Sequence, residues 1–223
     1  VDRLTFVLTK SNRMNVILFG ATGFSGRPVL DALLKANHHV RVVTRDARKI
    51  DLTHPSLKVM QGDLADEQFL DEVMEGQDAV VNCMGKAPGS PKDTLSVASD
   101  RIIKAMERKG VDRLLAMRNV GAGDSIDAQP WLFRRVLLKT VLKWLQEIID
   151  DKNVMEPRIR RSNLNWTIAR FPNIEDKPKR GRLRTSLDGR RIGLSITRPD
   201  VANFLVDQLN DTQFLRKSPS VSN

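Results

Sequence analysis

At 223 residues the chain has room for one α/β domain with a sizeable core, and little for two independent ones. An apolar fraction of 40 % beside 29 % charged residues excludes global disorder, and no apolar run reaches the roughly 18 residues of a membrane-spanning helix. The net charge of +10 is uneven: 13 Lys/Arg stand against 4 Asp/Glu between Lys152 and Arg198, so the excess belongs to the C-terminal third, and no nucleic-acid motif accompanies it.

Residues 1–13 show no structural pattern and are expected to be an N-terminal extension, with Met14 a candidate natural start. Asn15–Phe19 is a β-branched and aromatic run, predicted to be a buried strand entering the glycine turn Gly20–Gly26. A helix follows over Arg27–Ala36, where Pro28 suits the first turn and Val29, Leu30, Leu33 and Leu34 make one apolar face. Strands His39–Thr44 and Leu57–Gln61, helix Glu67–Met74 and strand Ala79–Cys83 continue the alternation. Helix Pro91–Lys109 stops at Gly110, and strand Arg113–Met117 succeeds it.

Trp131–Ile149 is a long helix rich in Leu, Val and Trp; packing on the sheet or over the site is preferred to a membrane-surface role, because its apolar positions exceed one shallow face. Pro157 kinks or bounds a helix over Lys152–Arg161. Strand Leu164–Ala169 and helix Pro199–Leu209 complete the pattern, and residues 213–223 are expected to be a flexible tail. Strands alternating with helices at this spacing require crossover connections. The expected fold is therefore α/β: a single doubly wound parallel-sheet Rossmann domain over 14–212, with a small C-terminal region covering the substrate.

A loop that holds a pyrophosphate needs glycines, so that backbone N–H groups approach the oxygens, and a helix N-terminus behind them. Gly20, Gly23 and Gly26, with Thr22, Phe24 and Ser25 between them, meet both needs directly after a strand. The spacing Gly-x-x-Gly-x-x-Gly differs from the dehydrogenase Gly-x-Gly-x-x-Gly. At the end of the second strand Arg45 stands where a ribose 2′-phosphate would lie, with Arg48 and Lys49 nearby. NADP(H) is thus expected in preference to NAD(H), which Asp46 keeps open. Cys83, the single cysteine, has apolar flanks that predict a buried thiol and fit a reducing cytoplasm.

These residues resemble the atypical short-chain dehydrogenase/reductases, in the NAD(P)H-binding or NmrA-like branch that includes biliverdin IX-beta/flavin reductase. The resemblance spans about Met14–Leu209 and rests on four motifs: Gly20–Gly26, Gly62-Asp63, Asn119–Gly123 and Trp166–Pro172. It implies that Asp63 and Leu64 lie near the adenine, that Cys83, Met84 and Gly85 lie near the adenosine ribose, and that Pro172, Asn173 and Ile174 lie near the nicotinamide.

Two departures bear on chemistry. The main short-chain dehydrogenases pair a tyrosine with a lysine for proton exchange; here Lys152 matches the lysine, Ile148 takes the tyrosine position, and the chain contains no tyrosine. Where relatives carry serines after the fifth strand, this chain has Arg118 and Asn119. Asn119 and Lys152 are the catalytic candidates, Asn119 as a hydrogen-bond donor and Lys152 toward the nicotinamide ribose or simply as a surface lysine. Arg118 either draws an anion or faces solvent. No metal site is expected.

The cofactor supplies the hydride, so the minimum task is to place and shield an acceptor. An NADP(H)-dependent reductase of a flavin, quinone or similar conjugated acceptor is the first expectation. The alternative is a non-catalytic NADP(H) redox sensor acting on a regulatory protein partner; a third reading is an isomerase or dehydratase using the nucleotide as scaffold. The partner is thus a small-molecule acceptor or a protein, with no nucleic acid and no membrane insertion, in a cytoplasmic chain expected as a monomer, with a homodimer left open.

Overall fold

The computed structural model describes residues 13–85, 93–119 and 155–223. In chain order these form β1 (Asn15–Phe19), α1 (Gly26–Lys35), β2 (His39–Thr44), a 3-10 turn (Ala47–Lys49), β3 (Leu57–Gln61), α2 (Glu67–Met74), β4 (Ala79–Asn82), α3 (Thr94–Lys109) and β5 (Arg113–Asn119). The helical residues 155–161 (α4) follow, then β6 (Asn165–Phe171), β7 (Asn173–Glu175), β8 (Arg184–Ser186), β9 (Ser195–Thr197), α5 (Arg198–Asp207) and β10 (Ser220–Ser222).

Eight strands share one sheet in the order β3-β2-β1-β4-β5-β6-β10-β8, parallel except for β8, while β7 and β9 pair apart. Strand alternation divides the core into two layers. Val16 and Leu18 of β1 face Val29, Leu30 and Leu33 of α1 and Val201 and Leu205 of α5. Ile17 and Phe19 face Leu70 and Val73 of α2, Ile102 and Met106 of α3 and Ile159 of α4. Each such side chain removed from water contributes about 1.5–3 kcal/mol, which is why the apolar β1 lies inside the sheet, between β2 and β4. α3 ends where Gly110 takes the left-handed conformation at φ 68°.

The predicted tail is corrected by the structure. Its polar Ser-Pro-Ser-Val-Ser sequence carries little apolar signal, yet β10 is buried and lies between β6 and β8. The segment leading into it bonds along β6 through Arg216 N to Trp166 O at 2.7 Å and Arg170 N to Pro219 O at 2.9 Å. Phe214 packs on Phe204, and the Ser222 hydroxyl accepts from Gly193 N at 2.8 Å, so this buried serine keeps a hydrogen-bond partner. Helix Trp131–Ile149, Lys152 and the start of the Pro157 helix lie outside the described residues. Among the described residues no helix is long and apolar enough to cross a membrane.

Candidate dinucleotide site

The sheet order reverses between β1 and β4, so connections leave their C-terminal ends in opposite directions and open a crevice there. Gly20 ends β1 at φ +80°, and a Cβ on it would stand 2.7 Å from the Cys83 carbonyl group, so the exits of β1 and β4 approach this closely only with glycine. A Cβ on Gly26 would fall inside the Gly20 carbonyl oxygen; this glycine lets α1 pack onto the end of its own strand. Gly23 differs: among the described residues its added Cβ would meet only Gly20 O, at 3.2 Å. The loop closes through Gly23 N to Gly20 O at 3.0 Å and Arg27 N to Gly23 O at 3.2 Å. No acidic residue occupies the first turn of α1 and Ser25 makes no side-chain cap, so the positive end of the helix is not neutralised from within.

Two cavities meet over this loop. The larger, about 720 Å³, is bounded by Gly20, Thr22, Gly23 and Phe24, by Arg45 and Lys49 beyond β2, by Asp63 and Leu64 beyond β3, and by Cys83, Met84 and Gly85 beyond β4. The smaller, about 430 Å³, shares Gly23, Phe24 and Cys83–Gly85 and adds Ser25, Met117, Pro172, Asn173 and Ile174. The cofactor candidates from the sequence therefore converge, with Gly26 behind the loop rather than on a cavity wall. Asn119 closes β5 opposite Phe171, and Lys152 lies outside the described residues.

Residues that sequence reasoning did not single out also line the larger cavity, chief among them Ala98 and Arg101 of α3. Their helical spacing puts them on one face, a signal present in the sequence but equally consistent with plain core packing. Arg198, at the start of α5, stacks over the Phe24 ring at 4.3 Å and pairs with Asp176 at 2.9 Å, tying the glycine loop to the segment after β7.

Asp46 and Arg45 have different surroundings. The Asp46 carboxylate accepts from Arg48 Nε at 2.9 Å and Nη2 at 3.0 Å and caps the 3-10 turn, and the Arg48 bond holds its pKa below the ordinary range. Arg45 and Lys49 line the cavity and Asp46 does not. Burial of Cys83 pushes its thiol up to about 12, so at neutral pH it is an unreactive wall group, as its apolar flanks predicted.

Arg118 follows neither expectation. It is buried and paired with Glu156 of α4, which also accepts from Arg170 Nη2 at 2.6 Å and Arg160 Nη2 at 2.7 Å. Neighbouring parallel strands place Arg118 and Arg170 in register, beneath one carboxylate from the helix above.

A domain family described as NAD(P)H-binding matches residues 20–212. An uncharacterized chloroplastic protein of Arabidopsis thaliana is 24 % identical over 207 residues, which cover 87 % of this chain and 71 % of that protein. Among solved structures, an anaerobillin reductase from Escherichia coli O157:H7 is similar with a TM-score of 0.77 at 21 % identity, over 93 % of this chain and 96 % of its own. A short-chain dehydrogenase/reductase from Veillonella parvula in complex with NADP gives a TM-score of 0.73 at 20 % identity, over 94 % of each chain. With the family matched across most of its length and a Rossmann sheet beneath the glycine loop, the chain belongs to the NAD(P)H-binding domain family.

Proposed function

We propose that this chain is an NADPH-dependent reductase that delivers hydride to a flavin, quinone or related conjugated acceptor without a tyrosine–lysine pair. The observation that carries this is the pair of cavities sharing the glycine loop, with cations on the wall of the larger one and the nearby carboxylate engaged elsewhere. The fit to a dinucleotide rests on Gly23, where a side chain would enter the crevice, and on the uncapped start of α1.

In this reading the backbone at Thr22–Ser25 holds the pyrophosphate, Arg45 and Lys49 hold the 2′-phosphate, and Asp63 and Leu64 border the adenine. Cys83, Met84 and Gly85 flank the ribose. Pro172, Asn173 and Ile174 form the wall against which the nicotinamide and acceptor lie. When bound, the dihydronicotinamide supplies the hydride. Asn119 is assigned as a donor to the acceptor and Lys152 as a contact to the nicotinamide ribose. Because the chain has no tyrosine, the proton that completes reduction comes from water, which suits acceptors whose reduced forms protonate readily. The NADP-bound and reductase relatives support the cofactor and reaction class.

The test is NADPH consumption by purified protein with FMN, riboflavin and simple quinones, beside NADH. Turnover preferring NADPH is the expected result; tight NADPH binding without turnover of any acceptor would replace the reductase with a sensor. Arg45→Ala should weaken NADPH by about 10-fold or more, the loss of a charge-assisted hydrogen bond, and NADH by less than about twofold. Equal losses for the two cofactors, measured by fluorescence titration, would remove Arg45 from 2′-phosphate recognition.

A further inference from the structure

Apart from the dinucleotide crevice, a third cavity of about 320 Å³ lies between α4, β6, the lead-in to β10 and the turn after β8. Its walls are Arg160, Arg170, Lys217, Ser218 and the turn Leu187-Asp188-Gly189, and none of these borders the two cavities over the glycine loop. Three cations from three elements thus face one small space.

The surrounding bonds leave that charge incompletely answered. Arg160 and Arg170 both depend on Glu156, and Glu156 is also the partner of Arg118. The Ser218 hydroxyl lies 3.1 Å from Arg160 Nη2 and 3.2 Å from Glu156 Oε1, joining the same network. The Arg170 side chain is 10 % exposed, yet its Nε has no hydrogen-bond partner among the described residues. A buried guanidinium N–H without an acceptor is costly, so the Arg170 cation is incompletely satisfied by its protein partners. Lys217 donates to Gln213 O at 2.9 Å and has two further N–H groups to give. Among the described residues Asp188 is the one opposing charge on the wall, and its carboxylate accepts from the Ser186 hydroxyl at 2.5 Å and Arg190 N at 3.0 Å.

We propose that this cavity is a binding site for a phosphoryl anion, held by Arg160, Arg170 and Lys217. Donors converging from three elements suit a tetrahedral oxyanion with many acceptor positions better than a planar carboxylate, and planar guanidiniums are the usual partners of phosphate. The space admits a phosphomonoester as well as the free ion. Arg170 stands two residues before Pro172 on the chain, so occupancy of this site adjoins the wall of the smaller crevice cavity.

The site is separable from the cofactor reading by experiment. Thermal melts of the full chain are run in inorganic phosphate or glycerol 3-phosphate against chloride at matched ionic strength, for the wild type and for Arg160→Gln, Lys217→Gln and Arg45→Ala. Arg160 and Lys217 are exposed enough for their variants to fold. Phosphate should stabilise the wild type, its apparent affinity should fall by about tenfold in Arg160→Gln and in Lys217→Gln, as expected for one lost charge-assisted bond, and it should persist in Arg45→Ala. Stronger stabilisation by one of the two phosphates supports the site and identifies the free ion or the ester as its ligand. No stabilisation of the wild type, full stabilisation in Arg160→Gln, or loss in Arg45→Ala alone would overturn the proposal. These outcomes do not depend on whether NADPH binds or turns over.

Discussion

Valine in place of Gly23 should reduce NADPH affinity by at least about 100-fold while leaving the melting temperature close to that of the wild type. On the proposed reading, the backbone N–H groups of the loop each give the pyrophosphate a charge-assisted bond worth about 1.5–3 kcal/mol, and loss of two reaches about 3 kcal/mol or more, a factor above 100. The fold should survive because, among the described residues, a Cβ at Gly23 meets only the Gly20 oxygen, at 3.2 Å, and a shift of a few tenths of an ångström relieves it. Gly26→Val is the contrasting control. There the new atom would stand 2.0 Å from the Gly20 carbonyl oxygen between strand and helix, so stability and binding should be lost together. Calorimetric titration with NADPH beside a thermal melt separates the two cases, and unchanged affinity in Gly23→Val would take the pyrophosphate out of this loop.

The second large effect concerns stability. Glu156→Ala should cost about 3–5 kcal/mol, because it leaves Arg118, 3 % exposed, and Arg170, 10 % exposed, without their shared carboxylate. Urea unfolding would measure it; a loss below about 1 kcal/mol would mean that the guanidiniums find other partners at little cost. The pH dependence has a defined sign. Burial alone would raise the Glu156 pKa, but the hydrogen bond from Arg160 and the charges of Arg170 and Arg118 together outweigh it and hold the folded value below the ordinary 4.5. The carboxylate's contribution is therefore fully present above about pH 4.5 and is lost as pH falls through the lower folded value. The stability difference between wild type and Glu156→Gln should be flat from neutrality to that point and shrink below it.

Much of this architecture is legible in the residues. The bounds of β2, β3 and α2 follow from β-branched runs and amphipathic spacing, and the glycine loop follows from its place between a strand and a helix. The strands that escaped notice, β7 to β10, are three residues each, too short for a period of two to show against background. β10 is the plainest case: Ser220, Val221 and Ser222 have the composition of a loop, and only an open sheet edge beside β6 makes them a buried strand.

By itself the sequence determined the Rossmann order of elements, the glycine turn Gly20–Gly26 between strand and helix, and the absence of tyrosine, since these depend on local pattern and residue type. Tertiary structure decided what depends on residues far apart in the chain. It brought Glu156 across Arg118 and Arg170 and so made Arg118, read from sequence as either drawing an anion or facing solvent, part of a buried ion network. It engaged Asp46 with Arg48 while leaving Arg45 on the cavity wall, and it drew Arg160, Arg170 and Lys217 around one space. Charge counted along a chain does not say which cations will share a neighbour. That is fixed by strand register and helix packing, where a low dielectric makes each missing partner costly.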